Sequence, residues 1–312
     1  MRTKILTLSM LFAFMAPALQ AQSKAPSKRQ KIDQPAAGDD SKPVDKSGRQ
    51  KVPGIPQISV IDKLLSIESA LNAKLKRRTE DEWTGDYEKL YQAFRRDGRL
   101  ASISGEGKDS TCNALALGIK ASDAVLALKA RNVEALNTAA EQINLLAKKL
   151  GASENELGMA NTVKSYANKR QWFGAFLALG RLQRDVTNYL EASTDKAQRD
   201  LAMLVVVGGW LQGGRCVTSV VDAHYNDYVS NILREQRLVK LIIETLDGLD
   251  AKYENDPLVK DIRKALPEIL KRVDVAMDEP VPQANVKWLH EEFEAPGASP
   301  VPKADGLFDG TG

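Results

Sequence analysis

From Asp109 to Ala130 a helix carries apolar side chains on nearly every side: Leu115, Leu117, Ile119, Val125, Leu126 and Leu128. A helix that is hydrophobic all round sits in the middle of a protein or in a membrane. The stretch Leu201 to Leu211 is more apolar still, with Met203, Val205, Val206, Val207 and Trp210. Gly208, Gly209, Gly213 and Gly214 lie within it or just after it. Each glycine inside a helix costs about 1 kcal/mol relative to alanine, so four together imply close packing or a kink. Gly209 and Gly213 have the spacing of tightly paired membrane helices. Yet Gln212, Arg215 and Asp222 interrupt any full span, and one arginine at mid-membrane costs about 2.5 kcal/mol or more. Both stretches therefore read as buried central helices of a water-soluble fold.

The rest of this central region repeats the same period. No stretch shows the strict alternation of a half-buried strand. Asn132 is a suitable N-cap, followed by Val133, Leu136, Ala140, Ile143, Ala147 and Leu150 at steps of three and four. Gly151 is placed to end that helix. A further helical pattern runs from Trp172 through Phe176, Leu179, Leu182 and Val186 to Leu190. Gly174 and Ala178, one turn apart in it, offer a second close-packing surface. Asp256 followed by Pro257 starts a late helix, and Pro267 is expected to kink or split it near Ala265. The fold class expected is all-α, an antiparallel helical bundle over residues 56–278, with an α-solenoid of helical hairpins as the alternative.

Both ends differ from this body. Arg2 and Lys4 precede an apolar run from Ile5 to about Ala16, then Ala16-Pro17-Ala18 and Ala21. A charged start, a short apolar middle and a small-residue exit make a secretory signal, here 1–21, and the run is shorter than the roughly 20 residues of a bilayer span. Residues 22–55 have eight Lys/Arg against four Asp and almost no large apolar side chain, so a disordered basic linker is expected. With the signal removed the chain falls from +3 to +1. The linker holds +4 of that, and the body is −3. Residues 279–312 are rich in Pro and Gly, with one short helix expected where Val286, Leu289 and Phe293 repeat, docked on the body.

Few residues suggest chemistry. Asn113, Lys120 and Asp123 fall along one side of the first apolar helix, and Arg215 sits among the glycines. Buried charges must pair or shift their pKa, so these four are expected to form a polar network that sets helix register. Cys112 and Cys216 are the two cysteines; in an oxidising compartment a disulfide between them is expected. The two histidines are too few for a multi-histidine metal site, and the cluster Asp222, His224 and Asp227 reads as a surface helix end. There is no GxxxxGK[ST], GxGxxG or GxSxG. A slightly acidic body disfavours nucleic acid. No catalytic residue, cofactor or metal is expected. The chain reads as a periplasmic or secreted helical protein, a non-enzymatic binding or scaffold module of the cell envelope. Its expected partner is an envelope protein or lipid. A bundle that binds a small ligand or lipid is the alternative, and a carboxylate-based hydrolase the third reading.

Overall fold

Residues 110–129 form the most buried helix in the computed structural model of this chain, with residues 196–223 as its main partner. The structure describes residues 60–74, 78–96, 109–276 and 279–294, all within one unit, Pro53–Gly312. The expected signal peptide, the 22–55 linker and residues 295–312 lie outside the described residues. Every regular element among the described residues is helical. In chain order these are α1 (Val60–Lys74), α2 (Glu80–Arg96), α3 (Ser110–Lys129), α4 (Val133–Lys149), α5 (Glu154–Asn168) and α6 (Trp172–Glu191). Then come α7 (Lys196–Ala223), α8 (Asp227–Ser230), a 3-10 turn (Asn231–Leu233), α9 (Gln236–Asp247), α10 (Ala251–Glu254), α11 (Pro257–Val273) and α12 (Gln283–Glu294).

Seventeen of the twenty residues of α3 are buried, as its all-round apolar pattern demands. Its most extensive partner is α7. By length and composition both helices could cross a membrane, but 94% of the apolar window of α3 and 78% of that of α7 are buried inside the protein. Helices α3 to α6 are joined by tight turns and alternate in direction. Asn137 near the start of α4 donates to Asn168 at the end of α5, 2.8 Å away, and the Tyr189 hydroxyl near the end of α6 donates to the Gly151 carbonyl just after α4. In such a series the fifth member runs the same way as the first. Thus α7 lies parallel to α3, with Leu115 against Gly208 and, further along both, Asp123 against Gln212.

The turns show why the helices stop where they do. Asn132 caps α4 by accepting from the Ala135 amide at 2.9 Å, and Asp256 caps α11 by accepting from the Leu258 amide at 2.8 Å. Gly151 takes a φ of 95°, the left-handed conformation that ends a helix without a side-chain clash. Helix α11 runs unbroken through Pro267, so the expected split does not occur. Pro267 lies on the exposed face, while Ile262, Leu266 and Ile269 hold the buried face together. The C-terminal helix α12 docks on α7 through the buried Val286, Leu289 and Phe293, so the helical core extends past residue 278 to Glu294.

Candidate functional site

Two places in this frame carry more than packing. The first is where α3 crosses α7. A Cβ added at Gly118 would stand 2.5 Å from the Gly209 amide nitrogen and nearer still to the Val205 carbonyl. One at Gly208 would stand 2.8 Å from the Leu115 carbonyl carbon. The backbones touch because Gly118 of α3 meets Val205 and Gly209 of α7 while Gly208 meets Leu115, and Ser122 seals the contact by donating to the Gly209 carbonyl at 2.9 Å. Gly209 belongs to this crossing as its spacing implied. Gly213 is buried one turn further on and lines the cleft described below. The other expected pair also packs closely: Ala178 is buried, and Gly174 lies under the ring of Tyr166 from α5, where a Cβ would be 2.6 Å from the ring.

Just beyond the crossing lies a buried polar cluster. Lys120 Nζ is 3.3 Å from Asp123 Oδ2, and Gln212 Nε2 donates to Asp123 Oδ1 at 2.7 Å. The Arg215 guanidinium lies 3.9 Å from the centre of the Phe94 ring, and its charge favours the Asp123 carboxylate. Burial nonetheless pushes the Asp123 carboxyl above its ordinary range, against the pull of Lys120, Gln212 and Arg215. Three of the four residues expected in this network are thus brought together. Asn113 is not. It lies ten residues before Asp123, about 15 Å along the helix, and its Oδ1 is buried without a hydrogen bond. Gln212 is the member the sequence pattern did not single out. The cluster ties α3 to α7 and does not border the cleft.

The cysteines do not join. Cys112 and Cys216 form no disulfide with each other, which corrects the expected bridge. Cys112 lies in the first turn of α3, near Lys149 and Asp256. Because α3 and α7 are parallel, Cys216 lies eight residues beyond the Gly208 that meets Leu115, about 12 Å further along α7. A disulfide needs Cα atoms within roughly 7 Å. The histidine cluster also divides: His290 Nδ1 is 2.7 Å from Asp222, whereas His224 faces Asp86 at 3.8 Å and the Trp83 ring at 6.0 Å. No group of metal-binding side chains occurs among the described residues.

The second place is an open cleft between α7, the 3-10 turn, α9, α11 and α12. Its walls are apolar: Trp210, Val217, Ile232, Leu238, Val239 and Ile269 are among them. Gly213 and Gly214 form part of the floor. The bare backbone at Gly214 lets the Phe293 ring lie on α7, since a Cβ there would be 2.8 Å from the ring. Trp210 meets that ring edge-on at 6.0 Å. One ion pair, Lys63 with Glu235, borders the cleft, and Lys63 also donates to the Ile232 carbonyl at 3.4 Å. Burial lowers the pKa of the Lys63 ammonium. The polar side chains of the cleft's described lining are Lys63, Glu235 and Thr218. The cleft can exclude water from an apolar body and leave a polar end beside a charged pair.

No protein-family model, curated protein or solved structure matches this chain.

Proposed function

We propose that this chain is an exported, non-enzymatic binding module of the cell envelope, and that its cleft takes an apolar small molecule or a single acyl chain. Export is supported by the Arg2 and Lys4 start, the apolar run to Ala16 and the small residues around Ala18. Binding rests on one observation: an open cleft with apolar walls and a single charged pair at its border. Ligand sites commonly have this form, a mostly apolar concavity with a few polar groups that fix orientation. The apolar walls suit an acyl chain, whose polar head would lie beside Lys63 and Glu235.

The test is native mass spectrometry of the mature protein purified from its own host, with and without organic extraction, together with titration by 1-anilinonaphthalene-8-sulfonate. A bound apolar species and saturable dye uptake are expected. Both should be lost in Ile232→Trp, which fills the cleft from a half-buried position. A wild-type protein that carries no such species and takes up no dye overturns the reading.

A further inference from the structure

We infer that the outer face of the α5–α6 hairpin docks on an anionic membrane surface. The charge pattern is the first observation. Between Glu156 and Asp185 the sequence contains no acidic residue and five basic ones: Lys164, Lys169, Arg170, Arg181 and Arg184. Lys164 is neutralised by Glu141 of α4, 2.5 Å away. The other four are exposed and form no ion pair with any described residue.

Exposed apolar groups on the same face are the second observation. Phe173 is 55% exposed and Leu177 46%. Along α6, Phe173, Leu177, Arg181 and Arg184 follow at steps of four, four and three, which puts them in one stripe. Tyr166, 36% exposed, reaches across from α5 onto Gly174, and Phe173 and Phe176 lie with ring centres 6.5 Å apart. An apolar centre is therefore bracketed by cations: Lys169 and Arg170 at the turn, Arg181 and Arg184 further along the helix.

A single exposed leucine or phenylalanine needs no explanation, but a contiguous group marks an interaction surface. A membrane fits this one. Amphipathic helices that lie in the interface combine an aromatic or leucine face with flanking Lys and Arg, and aromatic rings concentrate at headgroup level. The turn adds a detail. Arg170 adopts a φ of 53°, in the conformation that usually selects glycine at a helix end. Arg131 does the same after α3, with a φ of 51°, and is held by Glu80. Arg170 has no such carboxylate among the described residues and presents its charge outward.

The experiment is sedimentation of the full mature chain with vesicles of phosphatidylcholine alone or with one quarter phosphatidylglycerol. Binding is expected to the anionic vesicles only, and to weaken with added salt. Neutralising one surface cation should cost about fivefold in affinity, so Arg181→Gln with Arg184→Gln should weaken binding about twenty-fivefold. Phe173→Ser should weaken it about tenfold. These side chains are exposed, so thermal melting should be unchanged. No binding to anionic vesicles overturns the proposal and leaves an acidic protein as the partner of this face. Binding that both variants leave unaltered also overturns it, and assigns the attraction to the basic segment 22–55.

Discussion

The closest approach in the fold gives the sharpest prediction. Replacing Gly118 by alanine puts a Cβ 2.5 Å from the Gly209 amide nitrogen and nearer still to the Val205 carbonyl oxygen, whereas real Cβ atoms essentially never come within 3.0 Å. The α7 backbone must retreat by at least 0.5 Å from the first atom, and by about twice that from the second. Neither atom is the end of a flexible side chain, so the two helices must separate where they pack most extensively. Overpacking a dense core usually costs about 1–3 kcal/mol, and a rigid backbone obstacle belongs at the upper end. The helix propensity of alanine returns about 1 kcal/mol. A net loss of about 2 kcal/mol is expected, lowering the melting temperature by roughly 4–8 °C in a domain of this size. The control is the same substitution at Gly180, inside α6, where a Cβ meets nothing within 4 Å. There only the propensity acts, and a gain of about 0.5–1 kcal/mol is expected. Urea denaturation followed by circular dichroism reads both. If Gly118→Ala proves neutral or stabilising, or if the two variants shift stability in the same direction, the account of the crossing is refuted.

Four further outcomes follow from the same contacts. Asp123→Leu removes the acceptor of both Lys120 and Gln212 and should cost about 3–5 kcal/mol, whereas Asp123→Asn keeps an oxygen there and should cost about 1–2; equal losses in urea would contradict the cluster. Burial, then Arg78, lower the pKa of His224 from 6.5, although Asp86 pulls the other way. The unfolded chain thus takes up a proton that the folded protein resists. Stability should fall as pH drops through 6.5 towards the folded pKa, and the difference between wild type and His224→Gln over pH 7.5–5.5, read from melting curves, should show that slope. Asn132→Ala loses the α4 cap and should cost about 1 kcal/mol by chemical denaturation. The half-buried Cys112 should react with iodoacetamide in the native protein and Cys216 only after unfolding, with the same mass under reducing and non-reducing conditions.

The helical architecture was legible because α3 and α7 are too apolar for any surface, and because caps such as Asn132, Gly151 and Asp256 mark where helices start or stop. Register between distant helices was not. The spacing of Gly209 and Gly213 marks a close-packing face, but the crossing is set by Gly118 of α3 against Val205 and Gly209 and by Gly208 against Leu115. A solitary glycine in an otherwise apolar helix was the available signal. Asn113 and Lys120 are seven residues apart and so share a side, yet two turns, about 10 Å, keep them out of contact. In the sequence Gln212 only interrupts an apolar run; the fold sets it opposite Asp123. The cleft could not be read at all, since its walls come from segments between Lys63 and Phe293 that only the tertiary fold assembles.

The parallel pairing of α3 with α7 also dictates an order of events. The bonds that join them span 87 and 89 residues, with three whole helices in between. A nascent chain that has emerged as far as α6 holds the apolar α3 without the surface that covers it. Such a half-made product is prone to aggregate until Lys196–Ala223 arrives. Truncation anywhere before that helix should leave insoluble material, however many of the earlier turns are intact.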